Sequence, residues 1–82
     1  MIVLDGNRMD SREATHEELK RKLDLPDYYG GNLDALNDCL AERRERELIV
    51  IEDAGAFLEG CGTSAVGLLR VFNDNGLQVL LD

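Results

Sequence analysis

The chain has 82 residues, with 17 aspartates and glutamates against 9 lysines and arginines, for a formal net charge of -8. That length supports one domain, residues 1–82, with a modest core and no room for a large enclosed substrate pocket. The charge disfavours direct contact with nucleic acid or an anionic membrane and favours a basic protein partner.

The opening MIVLDGN lacks the basic segment and long apolar run of a signal peptide. No apolar stretch approaches the roughly 20 residues of a membrane span. The expected location is therefore the cytoplasm, with Cys39 and Cys61 both as thiols. One histidine and no close cysteine pair leave no expected metal site, and no cofactor motif is present.

Met1 to Leu4 is the first of three short aliphatic runs that read as strands. Such continuous runs occur in strands buried on both faces of a helix-covered parallel sheet. Asp5-Gly6-Asn7 then reads as a turn. A helix is expected over residues 14 to 23, burying Thr15, Leu19 and Leu23 at four-residue spacing. Lys20, Arg21 and Lys22 suit its negative pole, and Glu17 and Arg21 are placed to pair on its surface. Pro26 keeps Leu25 out of the helical conformation.

The next helix is expected to start at Leu33 with Asn32 as its N-cap, after a sharp entry through Gly30 and Gly31. Leu33, Leu36 and Leu40 fall on one side, with Asp34, Asp38 and Glu42 almost opposite. Arg43, Arg44 and Arg46, mixed with glutamates, read as solubilising charge before the second strand, Leu48 to Ile51. Ala54 to Glu59 reads as a short helical turn. The last helix is expected over Ser64 to Asp74, capped by Thr63 or Ser64 and stopped by Asn75-Gly76. Leu77 to Leu81 is the third strand. Strands alternating with helical periods define an α/β domain with right-handed crossovers.

The stretch from Asp24 through Glu42 carries five acids and no lysine or arginine. Acids on an exposed helix face are commonly no more than a solvated face. The missing positive charge, and Asp38's position beyond the first turn where the helix dipole acts, favour a docking role. Tyr28 and Tyr29 each read equally as a lid on a small core or as an exposed anchor, the kind of side chain that dominates interface hot spots. His16 is the only conventional general-base candidate. It has no nucleophile at helical spacing, and a satisfied structural histidine is the better reading. Cys39 lies beside Leu36 and Leu40 and reads as a small buried hydrophobe.

The segment LPDYYGGNLDALNDCL, Leu25 to Leu40, with LLRVF at Leu68 to Phe72 and a closing apolar strand, resembles the barstar family of ribonuclease inhibitors over most of the chain. The resemblance implies a small three-stranded parallel sheet flanked by three or four helices, and an inhibitor rather than an enzyme. It implies that the second helix and the loop before it enter the active-site cleft of a basic, guanyl-specific microbial ribonuclease, in a one-to-one complex formed by an otherwise monomeric inhibitor. The matching positions are Tyr28 on the enzyme's rim, Asn32 shaping the loop, and Asp34 against basic groups. Asp38 is the central acid in a phosphate-like position, and Asp74 is a peripheral charge. Glu42 continues the acid face. Three positions depart: Gly31 stands where the family pattern has a glutamate, and Asn37 and Arg43 each stand where it has a tryptophan. These departures keep open an acidic immunity or adaptor protein that binds a different basic protein or toxin.

Overall fold

The computed structural model describes residues 1–82. Its elements run β1 (Ile2–Asp5), a 3-10 turn (Gly6–Arg8), α1 (Arg12–Lys22), α2 (Leu33–Glu42), β2 (Ile49–Glu52), α3 (Ala54–Cys61), α4 (Thr63–Asp74) and β3 (Val79–Leu81). The three strands form one parallel sheet in the order β1-β2-β3. Ile2 pairs with Ile49 and Ile49 with Val79; Leu4 pairs with Ile51 and Ile51 with Leu81. No helix is long and apolar enough to cross a membrane.

The sheet corrects one expectation. Only the central strand β2 is buried on both faces, at Ile49, Val50 and Ile51; the edge strands β1 and β3 are covered mainly on one. Leu4, Ile49 and Ile51 are fully buried in the hydrophobic core, with Ile2 and Val79 packed against it. The next row, Val3, Val50 and Leu80, points the other way and is absent from that core, and Leu80 is 54% exposed. Two right-handed crossovers that advance in the same direction lay both helical connections on one face. The aliphatic character of the strands therefore reflects β propensity as well as burial.

The core joins that face to the helices through Leu19, Leu36, Leu40, Phe57, Leu68 and Phe72. α2 rests on α4 at Gly67, where a Cβ would lie 2.8 Å from Leu33 Cδ1, so the missing side chain lets Leu33 seat.

Several boundaries differ from the sequence reading. α1 starts at Arg12 because Ser11 caps it, its Oγ accepting from Ala14 N-H at 3.1 Å. The α1 pair is Glu18–Arg21 at 2.5 Å, not Glu17–Arg21. Glu18 is buried and also accepts from Asp5 N-H at 2.9 Å, tying α1 to the end of β1. The turn after β2 extends into a full helix to Cys61. α4 is capped by neither Thr63 nor Ser64: Gly62, at φ 55 and ψ -126, turns the chain directly from α3 into α4, a conformation open to glycine and leaving no side-chain cap. At its other end Leu77 N-H bonds back to Phe72 O at 3.0 Å, and Gly76 takes φ 76, the expected stop.

Candidate functional site

α2 begins where expected. Asn32 is extended, and its Oδ1 accepts from Ala35 N-H at 2.8 Å. Leu36 and Leu40 are fully buried, which turns Asp34, Asp38 and Glu42 to solvent. None of these three carboxylates makes an ion pair or a side-chain hydrogen bond within the chain. No cation answers them on their own helix, because LDALNDCLAE contains none.

The loop before α2 is built against this helix. Asp24 takes the left-handed conformation at φ 53 after α1, Leu25 is buried, and Tyr29 N-H closes a turn onto Pro26 O at 2.9 Å. The two tyrosines then divide. Tyr28 is 86% exposed. Tyr29 is half-buried against the core, and its hydroxyl lies 2.6 Å from His16 Nδ1 on α1. Burial, with a smaller contribution from the nearby Cys39 thiol, pushes the Tyr29 hydroxyl up to about 12. Burial, then the Arg12 charge, lowers His16 below its ordinary value. Both groups are neutral at pH 7. Gly31 takes φ 66, so a glutamate at this position would sit on strained backbone.

Tyr28, Tyr29, Asp38, Cys39, Glu42 and Arg43 share an open groove of about 480 Å³ between the loop and α2. Asp34 and Asn32 lie outside its lining. Cys39 is half-buried rather than enclosed, and burial followed by the Glu42 and Asp38 charges raises its thiol. A thiol held protonated in this way is a poor nucleophile. Arg43 is not a solubilising charge. Its Nη1 donates to Leu23 O at 3.0 Å and its Nη2 to Glu47 at 3.3 Å, and Arg46 donates to Arg43 O. Its Nε is buried without a partner. The guanidinium thus latches the end of α2 to the end of α1, with its charge answered by Glu47 instead of facing outward.

Asp74 is the exposed last residue of α4. Its neighbour Asn75 brings this end to α2: Asn75 Nδ2 donates to Val71 O at 2.9 Å and to Asn37 Oδ1 at 2.8 Å. A backbone carbonyl can only accept, which fixes the orientation of Asn75. The bond then requires the oxygen of Asn37, so the Asn37 amide nitrogen is left for solvent or a partner. Neither Asn75 nor the latch of Arg43 is legible from spacing, since each joins segments distant in sequence.

These features define a small α/β protein whose unpaired chemistry lies on an exposed helix face and its entrance loop, with no group of three His, Cys, Asp or Glu side chains placed to hold a metal. His16, the one general-base candidate, is engaged by Tyr29 with no nucleophile beside it. The chain belongs to the barstar family: the family model described as "Barstar (barnase inhibitor)" matches residues 1–79. This is a family of inhibitors, not enzymes. The Bacillus subtilis (strain 168) protein "Putative ribonuclease inhibitor YrdF" is 59% identical over 39 residues, 48% of this chain and 43% of that protein. The aligned stretch thus spans less than half the length of that relative.

Proposed function

We propose that this chain inhibits a basic, secreted-type microbial guanyl-specific ribonuclease by placing α2 and its entrance loop in the enzyme's active site. The observation that carries the reading is the set of three unpaired carboxylates on one rigid, capped helix. An enzyme that holds RNA must concentrate positive charge around its phosphate sites. Carboxylates held on a helix can occupy those sites, exclude substrate and speed encounter through long-range attraction. Asp38 is the central acid and Asp34 a second contact. Tyr28 supplies an exposed aromatic anchor, Asn32 sets the loop, and Glu42 and Asp74 extend the acid surface at the rim. The complex is one-to-one, the free inhibitor a monomer, and the place of action the cytoplasm, before the enzyme is exported. Barstar family membership and the printed description of YrdF support this reading.

A second reading keeps the surface and changes the target to another basic protein or toxin. Asn37 favours it, because this position presents a small amide tied to Asn75 where the family pattern has a large aromatic contact. Titration into a panel of guanyl-preferring ribonucleases tests the first reading. Stoichiometric inhibition, slower association at higher salt, and its loss on reversing Asp34 and Asp38 to lysine are expected. Absence of binding across the panel rejects it. A toxin without ribonuclease activity that binds the wild type and not the charge-reversed variant establishes the second.

A further inference from the structure

Tyr28 stands almost wholly in solvent, yet it is joined directly to a residue with the opposite fate. Tyr29 lies between α1 and α2. Its ring packs against the core and lies near Cys39 of α2, while its hydroxyl reaches His16 of α1. The two rings are tilted by 49° with centroids 5.8 Å apart, so the contact is an in-reach hydrogen bond rather than a stack. The start of the loop is fixed by buried Leu25, whose N-H donates to Lys20 O at 3.0 Å, and a local turn closes from Tyr29 N-H to Pro26 O; past that turn the side-chain ties are few. Lys20 Nζ reaches Asp27 O at 3.4 Å through an exposed, flexible side chain, and Asn32 holds only the far end, where α2 begins. Gly30 and Gly31 lie between Tyr29 and Asn32 and add freedom rather than restraint.

We infer that His16 and Tyr29 are positioning residues for partner binding: their part-buried hydrogen bond holds the entrance loop on α1, so that Tyr28 and the acids of α2 are presented as one pre-formed surface. This rests on the function proposed above. The hydroxyl of Tyr29 and Nδ1 of His16 are spent on each other. The bond acts by ordering the loop before encounter, which lowers the conformational entropy lost on docking. A hydroxyl and an imidazole partly shielded from solvent hold each other more firmly than fully exposed ones do.

Tyr29→Phe removes the hydroxyl and keeps the ring. His16→Ala removes the other half. His16→Asn restores an acceptor near the place of Nδ1. Affinity for a guanyl-preferring ribonuclease that the wild type inhibits is measured for each, and for the double variant Tyr29→Phe/His16→Ala, at a temperature where all are folded. Tyr29→Phe and His16→Ala are each expected to bind about 3- to 30-fold more weakly. The double variant should be no worse than the weaker single, since both remove the same bond, and His16→Asn should recover most of the loss. Losses that add, or wild-type affinity in Tyr29→Phe, overturn the proposal. A second measurement needs no partner: amide hydrogen exchange at Asp27 to Gly31 should accelerate in Tyr29→Phe while exchange in β1 and β2 stays unchanged. If the wild type binds no ribonuclease, the proposed function fails by itself, and unchanged loop exchange in Tyr29→Phe then overturns the positioning role separately.

Discussion

α1 and α2 are near twins in construction and opposites in what their acids do. They have 11 and 10 residues, and each is capped by a side-chain oxygen that accepts the N-H three positions on, from Ser11 and from Asn32. Each buries leucine against the same core, Leu19 from α1 and Leu36 and Leu40 from α2. In α1 the acids Glu13, Glu17 and Glu18 are interspersed with Arg12, Lys20, Arg21 and Lys22, and Glu18 is sunk beneath the helix between Arg21 and the backbone of β1. In α2 the three acids stand in solvent with no cation on the helix and no partner in the fold. The lesson is that a carboxylate's role is read from what answers its charge. Glu18 is answered by contact and belongs to the fold; Glu13 and Glu17 have no contact partner but share their helix with four cations, whereas the acids of α2 have neither and are available to another molecule.

Single substitutions can break or sharpen this contrast. The largest effects lie within α2 itself, between its two sides. Asp38→Ala is expected to weaken ribonuclease binding by about 2–5 kcal/mol, because the enzyme's positive groups are left desolvated and unpaired. Folding stability should stay within about 0.5 kcal/mol. Leu36→Ala, one residue type and two positions away, should reverse the pattern by costing about 2–5 kcal/mol of stability through a core cavity. Denaturant unfolding and calorimetric binding on the same two proteins check both. A folded Asp38→Ala that binds like the wild type would show that the acid face is only a solvated surface.

Glu18→Ala carries the contrast over to α1. It strands the Asp5 N-H and frees Arg21, and should lower stability by about 1–3 kcal/mol. Binding per folded molecule should not change. A loss of affinity at full folding would mean that α1's acid also faces the partner. At the rim, Asp74→Ala should reduce affinity by about 0–1 kcal/mol, since an exposed charge stays hydrated in the complex. A cost as large as that of Asp38→Ala would move the centre of the interface to the end of α4.

The smallest effect is a pH dependence from His16. Its folded value lies below 6.5, so the unfolded chain binds the proton first as pH falls. The stability that neutral His16 maintains is therefore complete above the unfolded value. It declines as pH drops through the unfolded value toward the lowered folded one. Unfolding curves for the wild type and His16→Asn across that window should diverge toward low pH, with the wild type losing more stability. Parallel curves would show that burial does not disfavour the imidazolium.

Much of this molecule follows from the chain read by itself. The N-cap at Asn32, the start of α2 at Leu33 and the stop at Gly76 rest on contacts between residues a few positions apart, and local chemistry is enough to set them, while the strands show as aliphatic runs whose pairing is long-range. The opposed faces of α2 follow from its period alone, so the leucines and acids were separable without coordinates. What only the tertiary structure decided depends on where distant segments meet. Tyr28 and Tyr29 are chemically identical neighbours, and only the placement of His16 on α1 shows which is anchored and which is free. Arg43 reads as surface charge until Leu23 O lies within its reach, and Asn37 stands out only as a departure from the family pattern until Asn75 arrives from α4. The uneven cover of the sheet's outer face, with Val50 buried and Leu80 exposed, is hidden for the same reason. An aliphatic strand has the same sequence whether one face is covered or two, and the direction of the crossovers, a property of the whole chain path, determines which it is.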